Sequence, residues 1–255
     1  MTLILTALPG LPIVQPGDNL ALLLLQALER VNLRLEEGDI LVLAQKIVSK
    51  AENRLVNLNT IQPGARAEAI AAQIDKDPRL VELILAESNE VLRTRPGTIV
   101  VEHKLGFVCA NAGIDHSNVA GEGGAQGEWV LLLPENPDRS ASNIRSALEI
   151  ETGTRLGVMI IDSHGRAWRQ GTVGSAIGLS GLPGLLDLRG QPDLFGYTLR
   201  VTTVGVGDEL AAAASLIMGQ AAEGTPAVHV RGFPYPLVEG SLHELLRPKE
   251  MDLFR

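Results

Sequence analysis

Apolar positions in this chain fall into short blocks whose spacing changes from one block to the next. The N-terminal MTLILTALPGLPIV predicts a first strand followed by a turn at Pro9, Gly10 and Pro12. Residues 20–28, LALLLLQAL, follow Gly17 and Asp18 and are closed by Glu29 and Arg30. A cap followed by a largely apolar run predicts a core helix, too short to span a bilayer. ILVLAQKIVSK (40–50) is rich in branched residues and predicts a buried strand. Residues 64–94, dominated by alanine, leucine and glutamate, predict two helices parted at Asp77 and Pro78. GTIVVEHKLGFVCANAGID (97–115) alternates and predicts a hairpin turning at HKLG.

GEGGAQGE (121–128) predicts a loop, and WVLLLP (129–134) and RLGVMIID (155–162) predict buried strands. Between those strands DRSASNIRSALEIETG (138–153) starts at an aspartate and ends at a glycine, as a helix does. YTLRVTTVGVG (197–207) predicts a strand, DELAAAASLIMGQAAEG (208–224) a helix capped by Asp208, and PAVHVRG (226–232) a closing strand. Helices and strands mix without a strict βαβ rhythm. The expected fold is α+β, with mixed sheets and packed helices, and neither a Rossmann nor a P-loop fold. One domain over 1–255 is expected, with room for two structural lobes.

Composition narrows the partners. A net charge of -8, no run of Lys or Arg beyond two residues and 3% aromatics disfavour nucleic acid, which needs a basic face or stacking platforms. The start of the chain carries no positive stretch ahead of its apolar residues, so no signal peptide and no membrane partner are expected. Cys109 is the only cysteine, which excludes an intrachain disulfide and fits a cytoplasmic location.

Four places carry polar groups where an apolar element ends. Lys46 and Lys50 emerge from the 40–50 block, either as solvation of its exit or as a phosphate clamp. Asp115 lies near Ser117 and Asn118, in a turn where such residues commonly bond local backbone. Asp162 ends an apolar run and is followed by Ser163, Arg166, Arg169 and several glycines. Two carboxylates brought together repel unless a cation stands between them, and oxygen donors suit Mg²⁺ or Mn²⁺, where zinc would favour His and Cys. Ser163 and His164 are adjacent on an extended chain and point to opposite faces, so they are no catalytic pair. Gln220 and Glu223 are three residues apart at the end of the last helix, where, taken alone, a solvated final turn is the better explanation. Neither GEGGAQGE nor GVGDEL has the residues of a P-loop or a dinucleotide fingerprint.

Taken together, GLPIVQPGDNL, GDILVLAQKIVSKAE, NAGIDHSN, DSHGRAWRQGTVGSAIGLSG, DELAAAASLIMGQAAEG and PAVHVRG resemble the coenzyme F-420-0:L-glutamate ligase family over almost the whole chain. That resemblance implies a GTP-dependent amide ligase. GTP phosphorylates the terminal carboxylate of F-420-0, and L-glutamate attacks the acyl phosphate; a second, γ-linked glutamate can follow. It implies two divalent cations, Mg²⁺ or Mn²⁺, stimulation by K⁺, and a homodimer. By position, Asp115 and Asp162 would bind metal, with Ser163 and Gln220 at a second metal. Pro12, Ile13, Val14, Gln15, Gln45, Lys46, Lys50 and Asn118 would bind GTP. So would Met218, Gly219, Gln220, Ala221, Ala222, Glu223, Gly224 and Thr225. Arg166 and Arg169 are candidates for substrate phosphates. Ser163 stands where threonine is common and keeps the hydroxyl; Ala167 replaces a frequent proline. The chain stops at Arg255, so the flavin-reductase-like extension of some relatives is not expected. Two rival readings use the same residues: a metal-dependent phosphohydrolase and a non-catalytic nucleotide-binding module.

Overall fold

The structure, a computed structural model, describes residues 2–121 and 127–253. The expected loop at 121–128 lies largely outside the described residues. Along the chain run β1 (Ile4–Ala7), α1 (Leu20–Arg30), β2 (Ile40–Ala44), α2 (Gln45–Ala51), β3 (Leu55–Asn57), α3 (Ala65–Ile74) and α4 (Pro78–Ala86). There follow β4 (Ser88–Arg95), β5 (Thr98–His103), β6 (Val108–Ala110), β7 (Trp129–Leu131), α5 (Pro137–Thr152), β8 (Gly157–Arg166) and β9 (Arg169–Ser180). The last elements are β10 (Leu186–Asp187), β11 (Thr203–Val204), α6 (Val206–Met218) and β12 (Ala227–Arg231).

A five-stranded sheet in the order β1-β12-β2-β8-β9 forms the centre. Only β2 and β8 pair in parallel; the other pairs are antiparallel. The architecture is α+β, and helices cover both faces because each central strand is apolar on both. Leu41, Leu43, Val158 and Ile160 face α1 and α5, whereas Ile40, Val42, Met159 and Ile161 face α6. Local signals set the helix ends. Asn19 caps α1 by accepting from the Leu22 N–H at 3.1 Å, Asn136 caps α5 through Arg139 N–H at 2.9 Å, and Gly153 ends α5 in a left-handed conformation, φ 68°.

One irregularity positions the site. Ile160 pairs with Gly178 but Ile161 with Ala176, so Ile177 is an extra residue in β9. A bulge reverses the side-chain alternation beyond it. Gly178 therefore faces α5, where a Cβ would lie 2.5 Å from the Pro137 carbonyl carbon, and Gly174 faces α6, where a Cβ would lie 2.5 Å from the Ala211 oxygen.

Several expected elements differ. The 40–50 block is a strand only to Ala44; it turns there into α2, whose buried Ile47 and Val48 mimic strand residues. The second helix of 64–94 stops at Ala86, and Ser88–Arg95 is a strand with two register shifts against β5. Of 197–207 only Thr203–Val204 is strand. The last helix starts at Val206 and ends at Met218, before Gly219; Asp208 lies inside it and accepts from Ala176 N–H at 2.9 Å instead of capping. Gln220 and Glu223 consequently sit in a loop. The glycine-rich stretch after Asp162 is itself hairpin strand, β8 into β9.

Candidate active site

β2 and β8 run side by side, and their pairing ends at Ala44 and Ile161. Beyond that point β2 becomes α2, and β8 continues with β9 as a two-stranded arm. A crevice opens where parallel strands end and their chains part. It is a cavity of about 820 Å³ walled by residues drawn from the segments 11–14, 44–50, 109–118, 161–165 and 215–226.

Gln45 and Lys46 open α2 directly from the strand end. Gln45 donates its Nε2–H to Asp115 Oδ2 at 2.7 Å and accepts from Ser49 Oγ at 2.8 Å, which fixes which way its amide faces. Lys46 Nζ forms an ion pair with the same Asp115 oxygen. Asp115 is held to the Leu131 backbone by a reciprocal pair of hydrogen bonds, 3.0 and 2.9 Å. It follows a turn in which Asn111, Ala112 and Gly113 all have positive φ. Lys50 donates to the Asn118 carbonyl at 2.8 Å, and Asn118 Nδ2 donates to the Ala221 carbonyl at 3.0 Å. On the opposite wall Ser163 Oγ donates to Gln220 Oε1 at 2.8 Å, and Gln220 Nε2 donates to Ser215 Oγ at 2.8 Å. Those bonds tie the loop after α6 to α2, to the 111–118 turn and to β8.

Electrostatics separate the two carboxylates. Burial raises the Asp115 pKa and the Asp162 charge adds to the rise, against the lowering by Lys46 and Gln45. Burial would also raise Asp162, but the His164 ring, the Ser163 backbone N–H and the Lys46 charge hold it below its usual value. Lys50 is lowered by burial and by the neighbouring charge of Lys46. Burial pushes the Cys109 thiol up to about 12, so this cavity residue is no nucleophile.

The cavity wall thus brings together Pro12, Ile13, Val14, Gln45, Lys46, Lys50, Asp115, Asn118, Asp162, Ser163 and the whole of Met218–Thr225. Gln15 is not on the wall; its side chain turns back to the Ile13 carbonyl at 3.3 Å. Arg166 and Arg169 pair with each other at the tip of the β8–β9 arm, where both are exposed and neither lines the cavity. Sequence reasoning missed His164, dismissed as a partner for Ser163. The period of two was the available signal: it sets His164 on the same face of β8 as Asp162. The Nε2 of His164 lies 3.0 Å from Asp162 Oδ2.

The donor set fits a hard divalent cation. Asp115, Asp162, Ser163 and Gln220 offer oxygen to one cavity, and Lys46 places a positive charge beside Asp115. Among the described residues no group of three or more His, Cys, Asp and Glu side chains stands ready to cage a metal. Two carboxylates with neutral oxygens suit Mg²⁺ or Mn²⁺, which keep waters and share substrate phosphate.

A sequence model of the family described as "F420-0:Gamma-glutamyl ligase" matches residues 10–232. The chain belongs to that family. It is an enzyme, a ligase that forms carbon–nitrogen bonds. "Coenzyme F420:L-glutamate ligase" of Methanothermobacter thermautotrophicus is 48% identical over 257 residues, covering 100% of both chains. The protein of the same name from Methanopyrus kandleri is 46% identical, covering 95% of this chain and 93% of its own. That from Archaeoglobus fulgidus is 44% identical, covering 96% and 94%. Among the described residues, no helix of this F-420-0:gamma-glutamyl ligase family member is long and apolar enough to cross a membrane.

Proposed function

We propose that this ligase joins L-glutamate to coenzyme F-420-0, using GTP and an acyl phosphate. The γ-phosphoryl group passes to the acceptor's terminal carboxylate: its bond to the β-phosphate oxygen breaks, the acyl phosphate forms and GDP leaves. The glutamate amine then attacks the acyl carbon, the carbon–nitrogen bond forms, phosphate departs and the amine proton is lost. Such chemistry asks a protein for positioning and charge neutralisation more than for a nucleophile. Lys46 and Lys50 supply cations for the nucleotide phosphates, and Asn118 and the Met218–Thr225 loop supply amide and backbone groups around them. Asp115 and Asp162, with Ser163 and Gln220, are the residues to hold Mg²⁺ or Mn²⁺, which would withdraw charge from the transferring phosphoryl group. Stimulation by K⁺ and addition of a second, γ-linked glutamate belong to the same reading. So does a homodimer, which the largely exposed Leu194, Phe195 and Val201 support as apolar surface for a second copy.

The observation that carries this reading is the convergence of Asp115, Asp162 and the neighbouring Lys46 and Lys50, from three stretches distant in sequence, on one cavity. Incubation with GTP, Mn²⁺, L-glutamate and F-420-0 should add the mass of one or more glutamyl units. Asp115→Ala and Asp162→Ala should each lose turnover by about 100-fold or more, the scale of a lost electrostatic group, with an unchanged circular dichroism spectrum. Wild-type rates in both variants would refute the carboxylate roles. GTP turnover indifferent to glutamate and acceptor would point to a phosphohydrolase instead.

A further inference from the structure

Asp162 has a neighbour that the ligase reading leaves unused. The imidazole of His164 lines the cavity, and among the described residues its buried Nε2 makes no aligned hydrogen bond although Asp162 Oδ2 lies only 3.0 Å away. The ring is fixed by packing: its centroid is 5.0 Å from that of Phe107, which stacks on His103 at 5.2 Å. Two lone-pair donors at this separation repel unless positive charge joins them. A proton would do so along the line between the atoms, where no aligned bond is made. A metal held by both atoms would sit to one side of that line. Donors about 2.0–2.1 Å from an octahedral cation and at right angles about it lie about 2.8–3.0 Å apart. The observed spacing matches.

We propose that His164, through Nε2, joins Asp162 as a ligand of the divalent cation and determines which cation this enzyme prefers. The proposal rests on the assignment of Asp162 to a cation made above. A nitrogen donor changes the choice of metal. Magnesium favours oxygen ligands, whereas imidazole favours transition ions, so His164 biases the site towards Mn²⁺ and later first-row ions over Mg²⁺. Neither Ser163 nor Gln220 exerts that bias, since both offer oxygen.

Protein labelled with ¹⁵N in histidine, loaded with Mn²⁺ in the presence of GDP, tests this by electron spin-echo spectroscopy. A directly bound ¹⁵N coupling is expected in the wild type and its loss in His164→Gln. Even second-shell changes at metal sites weaken affinity roughly 10–100-fold. The same variant should therefore bind Mn²⁺ about tenfold or more weakly, by calorimetry, while Mg²⁺ affinity moves less than about threefold. His164→Phe, which keeps the packing on Phe107, should behave alike. Mn²⁺ bound to wild type without a histidine coupling, but weakened by Asp162→Asn, overturns the role of His164 and leaves that of Asp162 standing. Mn²⁺ bound equally well by wild type, Asp115→Asn and Asp162→Asn overturns both, as does a wild type that binds none.

Discussion

His103 is 2% exposed, and among the described residues its Nε2 has no hydrogen-bond partner, while Nδ1 accepts from the Leu105 N–H at 3.0 Å. Burial, with the charges of Lys104 and Arg54, lowers its pKa from 6.5 to about 4. A base depressed on folding stabilises the fold fully above its unfolded value, and that contribution is lost as pH falls through the folded value. The window therefore runs from pH 6.5 down to about 4, and the loss is on the order of 3 kcal/mol. Urea unfolding at several pH values should show this slope in the wild type and its disappearance in His103→Phe, which keeps the stack on Phe107; equal slopes would refute the assignment. Asp39 titrates in a different window. It is 1% exposed; burial would raise it, but Arg231, His229 at 2.8 Å and the Glu36 N–H hold it far below the usual carboxylate range. Its contribution persists until pH drops below about 4, the unfolded value. Asp39→Asn should cost about 3–5 kcal/mol at pH 7, as expected when one partner of a buried charge group is removed.

The β8–β9 hairpin is the element on which the candidate site depends, and its two inward glycines carry its packing. Gly178→Ala would drive a Cβ to 2.5 Å from the backbone of Pro137, and Gly174→Ala to 2.5 Å from the Ala211 carbonyl oxygen. Neither contact is a flexible side chain. Each change should cost about 1–3 kcal/mol by overpacking, read as a lower urea midpoint at unchanged slope; an unshifted midpoint would show that the strand relaxes freely. This hairpin also marks where the sequence stops being readable. The apolar blocks of α1, β8 and β12 and the closing glycine of α5 were legible because burial and chain reversal act within a few residues, whereas the start of α5 was read at Asp138 and lies two residues earlier, capped by Asn136. The extension of β8 through Ser163 to Arg166 was not, since glycines and charges signal loops unless another strand pairs with them. Residues 88–95 have the composition of a helix and become a strand through pairing with β5. Polar groups at element ends were visible singly. Their convergence depends on the fold, and only resemblance to a family joined them beforehand.

At the scale of the whole molecule, the cavity draws its walls from segments between Leu11 and Pro226. Asn118 and Lys50 tie the loop after α6 to α2, and Gln220 ties it to β8. A nucleotide in that cavity would touch segments that come together only in the folded chain, so it should bind the native state alone and stabilise the entire fold. At about 100 times the dissociation constant the gain is about 2.7 kcal/mol, which for a chain of this size raises the melting temperature by roughly 5–10 °C. GTP with Mn²⁺ should produce that shift in the wild type. Lys50→Met removes a cation from the wall together with the bond to the Asn118 carbonyl. Its melting temperature without ligand should change little, because the lost contact is a single exposed hydrogen bond, while the nucleotide-induced shift should shrink by several degrees. An equal shift in both proteins would place the nucleotide elsewhere. A drop in Lys50→Met before any ligand is added would instead make this lysine a structural strap, with the nucleotide phosphates held by other groups.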